Sequence, residues 1–211
     1  MNYNKKLYEY AIEILKDSLT RLSTEFETEY ARNPIDGVET RIKSMTSIND
    51  KLKRRNIPQT KDNILNCIKD IAGVRIICPY LKDIYAIVER LSKFKEIRMG
   101  EIEDYIKNPK PNGYRSLHMI IGIYIVFNGQ MQCIPVELQL RTLYMNLWAN
   151  FEHKFCYKSK RKRPWLKAKL KRYADYFAKI DLKKELTGNC KLETHKTKHF
   201  NRLVHFFGLA G

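Results

Sequence analysis

The pair Asn128-Gly129 constrains this chain's fold more than any other feature, because both residues accept positive φ and together suit the tight type I′ turn of a β-hairpin. A long apolar run, Ser116 to Phe127, leads into it, and Val136 to Arg141 beyond it alternates apolar and polar residues. The two flanking strands are therefore expected to pair antiparallel. With only Asn128 and Gly129 in the loop, Phe127 faces Gln130, and counting back sets His118 opposite Gln139 and Ile120 opposite Glu137. Pro135 has no N–H for the ladder, so a bulge there would shift the pairing; a two-residue shift keeps the faces and a one-residue shift swaps them.

From Val136 to Arg141 the period of two places Val136, Leu138 and Leu140 on one face and Glu137, Gln139 and Arg141 on the other. The hairpin register adds His118 to the second face. Thr142 then reads as an N-cap, with Leu143, Leu147 and Phe155 on the buried side of the following helix and Asn146, Asn150 and His153 as a separate polar stripe. Strand and helix thus both present polar groups near their junction. That is the pattern of a site and not of a core alone.

The chain's 211 residues suit one domain with helical additions, and 44% hydrophobic residues provide a substantial core. Forty Lys and Arg against 23 acidic residues give a formal charge of +17, which favours a polyanionic partner: nucleic acid, nucleotide phosphates or an anionic surface. The five cysteines are odd in number and scattered, with no C-x-x-C spacing, so they read as reduced thiols rather than disulfides or structural zinc ligands. The charged N-terminus lacks a signal-peptide core, and the longest apolar run, Met119 to Phe127, is too short to span a bilayer. A cytoplasmic protein with no membrane association is expected.

Read in order, the chain alternates helices and strands. Leu7, Ala11, Ile14, Leu15, Leu22 and Phe26 predict one amphipathic helix over roughly 4–31. Val38 to Lys43 suits a short strand with Arg41 and Lys43 on one face, followed by a helix burying Met45, Ile48 and Leu52. The cations emerging there, Lys51, Arg54 and Arg55, read equally as a solvated helix face or a phosphate clamp. Ile64, Leu65, Ile68 and Ile71 predict a helix ended by Gly73, with a strand from Val74 to Cys78; Asp70 and Arg75 flank this junction. Another helix follows from Asp83 to Phe94, then a short strand at Ile97 to Met99. Asp104 to His118 is a loop by composition, in which Lys110, Asn112, Tyr114 and Arg115 offer either a plain turn or an aromatic among cations, suited to stacking beside phosphate. Beyond the basic run KSKRKRPWLKAKLKRY, Ala174, Phe177, Ile180 and Leu182 predict a last helix. A single domain is thus read over 1–182, with 183–211 as a tail. Cys190, His195, His199 and His205 in that tail lack any surrounding catalytic motif.

Two carboxylates at strand-associated positions (Asp70, Glu137), several cations (Arg41, Lys43, Lys51, Arg75) and an aromatic loop near His118 form a constellation suited to magnesium and phosphoryl chemistry. Neither a G-x-x-x-x-G-K-[ST] loop nor an H-R-D motif occurs, which excludes the P-loop and protein-kinase solutions.

The segments RIKSMTSINDKLKRR, DIAGVRIIC, DYIKNPKPNGYRSLH and VELQLRT followed by WANFEHK resemble, in order and spacing, the RelA/SpoT-type (p)ppGpp synthetases, in particular the small alarmone synthetases. The resemblance runs from about Val38 to about Ile180. It implies an α/β (α+β) fold, a mixed β-sheet flanked by helices of nucleotidyltransferase type. It also implies transfer of the β,γ-pyrophosphate of ATP to the 3′-hydroxyl of GTP or GDP, with Mg2+ as cofactor. Carried over by position, Asp70 and Glu137 would hold the metal, and Glu137 would also activate the acceptor hydroxyl. Arg41 and Arg75 would sandwich adenine, Lys43 and Lys51 would hold ATP phosphates, and Tyr114 would stack on guanine. Lys110, Asn112, His118, Gln139 and Asn146 would complete the acceptor side. Relatives of this kind assemble as homotetramers.

No His-Asp dyad occurs in the sequence, so a synthetase without hydrolase activity is expected. The rival reading is a basic RNA- or DNA-binding module without catalysis, and weak nonspecific RNA binding is compatible with either. The rival explains the charge but not Glu137 on the same strand face as His118, since a carboxylate in a polyanion groove repels its ligand.

Overall fold

In the computed structural model of the chain, which describes residues 4–157 and 164–187, the hairpin is the broadest part of a single sheet. Strands β4 (Leu117–Phe127) and β5 (Gln130–Thr142) meet at Asn128 and Gly129, whose φ angles of 50° and 74° are the positive pair a type I′ turn requires. Phe127 pairs with Gln130, Ile120 with Glu137 and His118 with Gln139, and the ladder passes Pro135 opposite Gly122 without a bulge. The other strands are β1 (Gly37–Ile42), β2 (Ala72–Cys78) and β3 (Ile97–Asp104), in the order β1-β2-β5-β4-β3. Only β2 and β5 run parallel, which makes the sheet mixed.

One face of this sheet is apolar. Ile134, Val136, Leu138 and Leu140 of β5 join Leu117, Met119, Ile121 and Ile123 of β4 beneath helix α1 (Lys5–Tyr30), which contributes Tyr8, Ala11, Leu15, Leu19, Leu22 and Phe26. Helix α1 ends at Ala31 in the left-handed conformation. Helix α2 (Met45–Arg54) buries Ile48 and Leu52, and α3 (Lys61–Cys67) buries Ile64; each is capped, by Ser44 and Thr60 respectively. Helix α4 (Leu81–Leu91) adds Ile84, Ile87 and Leu91. A second, smaller cluster forms where α5 (Leu143–Glu152) meets α6 (Pro164–Thr187): Trp148, Phe151, Leu166, Leu170, Ala174 and Phe177. There the Trp148 indole donates to the Leu170 carbonyl at 2.7 Å. A π-helical turn, His153–Tyr157, extends α5.

Four sequence expectations shift. Helix α3 stops at Cys67, not at Gly73, because Ile68 is already extended and β2 begins at Ala72 and takes in Gly73; Asp70 therefore sits in the turn before the strand, and Leu65 is exposed. Strand β3 runs on to Asp104 through a register shift between Met99 and Ile102. Helix α5 buries Met145, Trp148 and Phe151 rather than Leu143, which is exposed, because α6 covers that side as well as the sheet. In α6 Leu182 is exposed and Asp181 is buried in its place. The helix continues to Thr187, past the expected boundary at 182, and Cys190, His195, His199 and His205 lie outside the described residues. Cys67, Cys78 and Cys133 are free thiols, and among the described residues no helix is long and apolar enough to cross a membrane.

The bulge in β3 gives a direct test of close packing. A Cβ on Gly100 would lie 2.2 Å from the Ile120 carbonyl oxygen, whereas one on Gly37 meets nothing within 4 Å. Gly100→Ala is expected to cost about 1–3 kcal/mol, and Gly37→Ala less than about 0.5 kcal/mol; urea denaturation of both variants reads the difference.

Candidate active site

The face of the sheet opposite α1 is polar, and its side chains stand in two cross-strand rows. Arg41 of β1, Gly73 of β2 and Glu137 of β5 are successive partners in one row; Glu39, Arg75, Gln139 and, on β4, His118 form the next. Because Gly73 has no side chain, Arg41 lies across it and donates to Glu137 Oε2 at 3.2 Å; a Cβ on Gly73 would stand 3.1 Å from Arg41 Nε. Arg75 donates from Nη1 to Glu39 Oε2 at 2.8 Å, and its buried Nε has no hydrogen-bond partner. These rows line a cleft of about 130 Å³ bounded by Glu39, Arg41, Arg75, Glu137 and Gln139. A larger depression, about 660 Å³ between α1 and α4, lies away from these rows, and its cations Arg32, Lys82, Arg90 and Lys93 each already have a carboxylate partner.

Beside the cleft, Lys43 and Lys51 both donate to Asp70 Oδ2, at 2.5 and 2.7 Å. Burial would raise this carboxyl, but the two ammonium groups outweigh it and hold Asp70 below its ordinary range. Asp70 Oδ1 is buried without a partner. An ionised carboxylate with one oxygen saturated by cations and the other unsatisfied is suited to receive a further cation.

On the other side of Glu137 lies a dense hydrogen-bonded group. Arg141, only 4% exposed, donates to the Tyr114 hydroxyl at 2.6 Å, to Gln139 Oε1 at 3.0 Å, to Asn146 Oδ1 at 3.3 Å and to Ser116 Oγ at 3.4 Å. The Tyr114 hydroxyl is 2.6 Å from His118 Nε2, and His118 Nδ1 is 3.9 Å from Glu137 Oε1. Gln139 Nε2 donates to Glu137 Oε2 at 3.1 Å. Burial, reinforced by the cations Arg141, Lys110, Arg75 and Arg41, lowers His118 to about 4, so the ring is neutral near pH 7. The Tyr114 ring meets Tyr105, His118 and Trp148 edge-on, and Lys110 Nζ lies 4.2 Å from the Tyr105 ring centre and 5.4 Å from that of Tyr114.

The structure therefore brings Arg41, Arg75, Glu137, Gln139, His118, Tyr114 and Lys110 to one face, with Asp70, Lys43 and Lys51 grouped beside it. Asn112 turns its side-chain oxygen to its own loop, accepting from the Tyr114 amide at 3.1 Å. Asn146 is not part of a stripe with Asn150 and His153: it is buried against Arg141, while they are exposed. Sequence reasoning assigned no role to Arg141, Glu39 or Tyr105. Alternation already placed Arg141 on the Glu137 face; the β1–β2 register that joins Glu39 to Arg75 leaves no mark in the sequence.

Residues 40–162 match the region found in RelA/SpoT proteins. The chain is 40% identical over 152 residues to the GTP pyrophosphokinase YwaC of Bacillus subtilis, covering 72% of each chain. It is similar to the crystal structure of small alarmone synthetase 1 from Bacillus subtilis bound to its product pppGpp, with a TM-score of 0.76 and 34% identity, covering 87% of this chain and 94% of that one. The same synthetase bound to AMPCPP matches with a TM-score of 0.71 and 32% identity, covering 86% and 92%.

Two titrating groups beside the site act in opposite senses on stability. Asp181 accepts from the Thr142 hydroxyl at 2.7 Å, and burial pushes its carboxyl up from 3.8 to about 7. The folded chain then holds a proton on Asp181 between those values that the unfolded chain has lost, so this contribution is full below 3.8 and gone once the pH passes about 7. For His118 the unfolded chain binds the extra proton between about 4 and 6.5, so its contribution is full above 6.5 and lost as the pH falls through about 4. Asp181→Asn removes only the Asp181 contribution. Urea denaturation between pH 4 and 7 should show the variant gaining on the wild type as pH rises; a constant difference would mean that Asp181 titrates normally.

Proposed function

This chain belongs to the RelA/SpoT family and is a GTP pyrophosphokinase, from which we propose that it transfers the β,γ-pyrophosphate of ATP to the 3′-hydroxyl of GTP or GDP, producing (p)ppGpp. The observation that carries the assignment of roles is the position of Glu137. It touches Arg41 of the cleft at 3.2 Å on one side, and Gln139 at 3.1 Å and His118 at 3.9 Å on the other. A carboxylate between two nucleotide sites is placed to take the proton of the attacking hydroxyl.

In this reading ATP occupies the cleft, with adenine between Arg41 and Arg75 and the phosphates toward Lys43 and Lys51. The acceptor lies over the Tyr114–His118–Gln139 side, guanine on the Tyr114 ring, with Lys110, Asn112 and Asn146 completing that side. The acceptor oxygen attacks the β-phosphorus as its proton passes to Glu137. The bond from the β-phosphorus to the bridging oxygen of the α-phosphate breaks, and AMP leaves with that oxygen. The lysines and arginines offset the charge that builds on the transferring oxygens.

Asp70 and Glu137 would hold Mg2+. The buried, unpartnered Oδ1 of Asp70 fits that assignment. Among the described residues no three His, Cys, Asp or Glu side chains cluster as a metal site, and magnesium commonly takes one or two carboxylates with substrate phosphates and water. Bound there, the ion would polarise the phosphates. The proposed location is the cytoplasm, where both nucleotide substrates are available. Weak nonspecific RNA binding would belong to the basic run at 158–163, outside the described residues.

Incubating the protein with ATP, magnesium and each guanine nucleotide, with products identified by mass, tests the reaction itself. Glu137→Gln is expected to lower kcat by about 10²- to 10⁴-fold, and Asp70→Asn to abolish turnover with the fold retained. Tyr114→Leu keeps apolar bulk without the stacking plane and should weaken guanine nucleotide by about 1–3 kcal/mol while sparing ATP. Arg75→Ala should raise KM for ATP. Wild-type turnover in either carboxylate variant would overturn the metal assignment, and equal weakening of both nucleotides by Tyr114→Leu would move Tyr114 out of the acceptor site.

A further inference from the structure

Arg141 is nearly enclosed, yet among the described residues no carboxylate pairs with it. Burying an unpaired guanidinium is costly, and its four hydrogen-bond partners are all neutral: Ser116, Tyr114, Gln139 and Asn146. A core that needed only packing would be served better by an apolar side chain. What a guanidinium supplies is direction to several partners at once, since it carries five N–H donors in a fixed fork and accepts at none.

That direction propagates along two routes. Arg141 Nη2 donates to Gln139 Oε1, so the carboxamide cannot be turned around, and its Nε2 must face Glu137 Oε2. Arg141 Nη2 also donates to the Tyr114 oxygen, so the hydroxyl proton points to His118 Nε2. Nε2, accepting from that hydroxyl, carries no proton, so the ring proton resides on Nδ1, the nitrogen 3.9 Å from Glu137 Oε1. One buried donor thereby directs the Gln139 N–H onto Glu137 Oε2 at 3.1 Å and turns the His118 N–H toward Oε1 across 3.9 Å.

We infer that Arg141 is the positioning residue of the acceptor side: it fixes the polarity of the Gln139 route, which is hydrogen-bonded to Glu137, and of the Tyr114–His118 route, which faces it across 3.9 Å. It is 4% exposed and does not line the cleft beside Glu137. The inference rests on the proposed function for the role of Glu137, while the polarity of the two routes rests on geometry alone.

The test is a mutant cycle with a spectroscopic control. Arg141→Met is expected to lower kcat about 100-fold, as a misplaced catalytic group does, with KM for ATP within about twofold of wild type. Tyr114→Phe and Gln139→Met each cut one route and should each lower kcat. Once both routes are cut, adding Arg141→Met should cost less than about threefold, because residues in one network are not additive. The full loss recurring in that background, or a matching rise in KM for ATP, overturns the inference. Arg141→Lys keeps a donor and should recover part of kcat; it replaces Arg141→Met in the cycle if the latter does not fold. Independently of turnover, ¹⁵N NMR should show His118 as the Nδ1–H tautomer in the wild type and a redistributed tautomer in the Arg141 variant. An Nε2–H ring in the wild type overturns the inference even if the enzyme is active. A wild-type protein that makes no product, yet shows the Nδ1–H ring and its loss in the variant, removes the proposed reaction and leaves the polarity of the network standing.

Discussion

The register of the β4–β5 hairpin is the constraint on which the rest depends. A slip of one residue along this ladder would carry Glu137, Gln139 and Arg141 into the core and bring Val136, Leu138 and Leu140 to solvent. The turn residues prevent it locally, since few pairs other than Asn-Gly hold two successive positive φ values at low cost. The apolar face prevents it globally, because the side chains of β4 and β5 beneath α1 must be apolar to pack against it. With the register fixed, His118 must stand beside Gln139, and the parallel pairing of β2 with β5 brings Gly73 beside Glu137.

The sheet therefore separates two kinds of chemistry across its thickness. On the α1 side stability comes from apolar burial, which tolerates exchange among residues of similar size. On the open side Asp70 sits between two lysines, Glu137 beneath an arginine, and a neutral histidine beside a phenol, and each arrangement depends on its neighbours. The open face holds its groups through charge and hydrogen-bond direction rather than through packing. The gap left by Gly73 shows how closely these are coupled: one missing methyl lets an arginine from β1 reach a carboxylate on β5 across the strand between them.

Much of this was legible in the sequence because it is written in local periods. The positive-φ pair, the alternation through Glu137 and the N-cap at Thr142, whose hydroxyl accepts from the Met145 amide, all appear where their spacing placed them. What was not legible depends on partners distant in sequence. Helix α3 ends early because Ala72 and Gly73 are drawn into pairing with β1 and β5. The buried face of α5 is turned by α6, whose approach no period within α5 can announce. Arg141 was visible as a polar residue on the right face, but its partners come from a loop, a strand and a helix, and only their convergence reveals a hub.

Helix α6 supplies none of the groups assigned to either nucleotide, yet the acceptor loop is moulded to it. Gly113, at φ 93°, lies so close that a Cβ would come within 2.6 Å of the Ala174 methyl, and Arg115 donates to the Ala174 carbonyl at 3.2 Å. Thr142, at the hinge between β5 and α5, is tied to Asp181 in the same helix. The inheritable unit of this site is thus longer than the stretch containing its reactive residues. A recombination or transplant that joined the segment ending at Asn146 to a foreign C-terminal helix would bring along every side chain of the proposed chemistry but not the surface that shapes the loop proposed to face guanine. Such a chimera would inherit the chemistry without its selectivity.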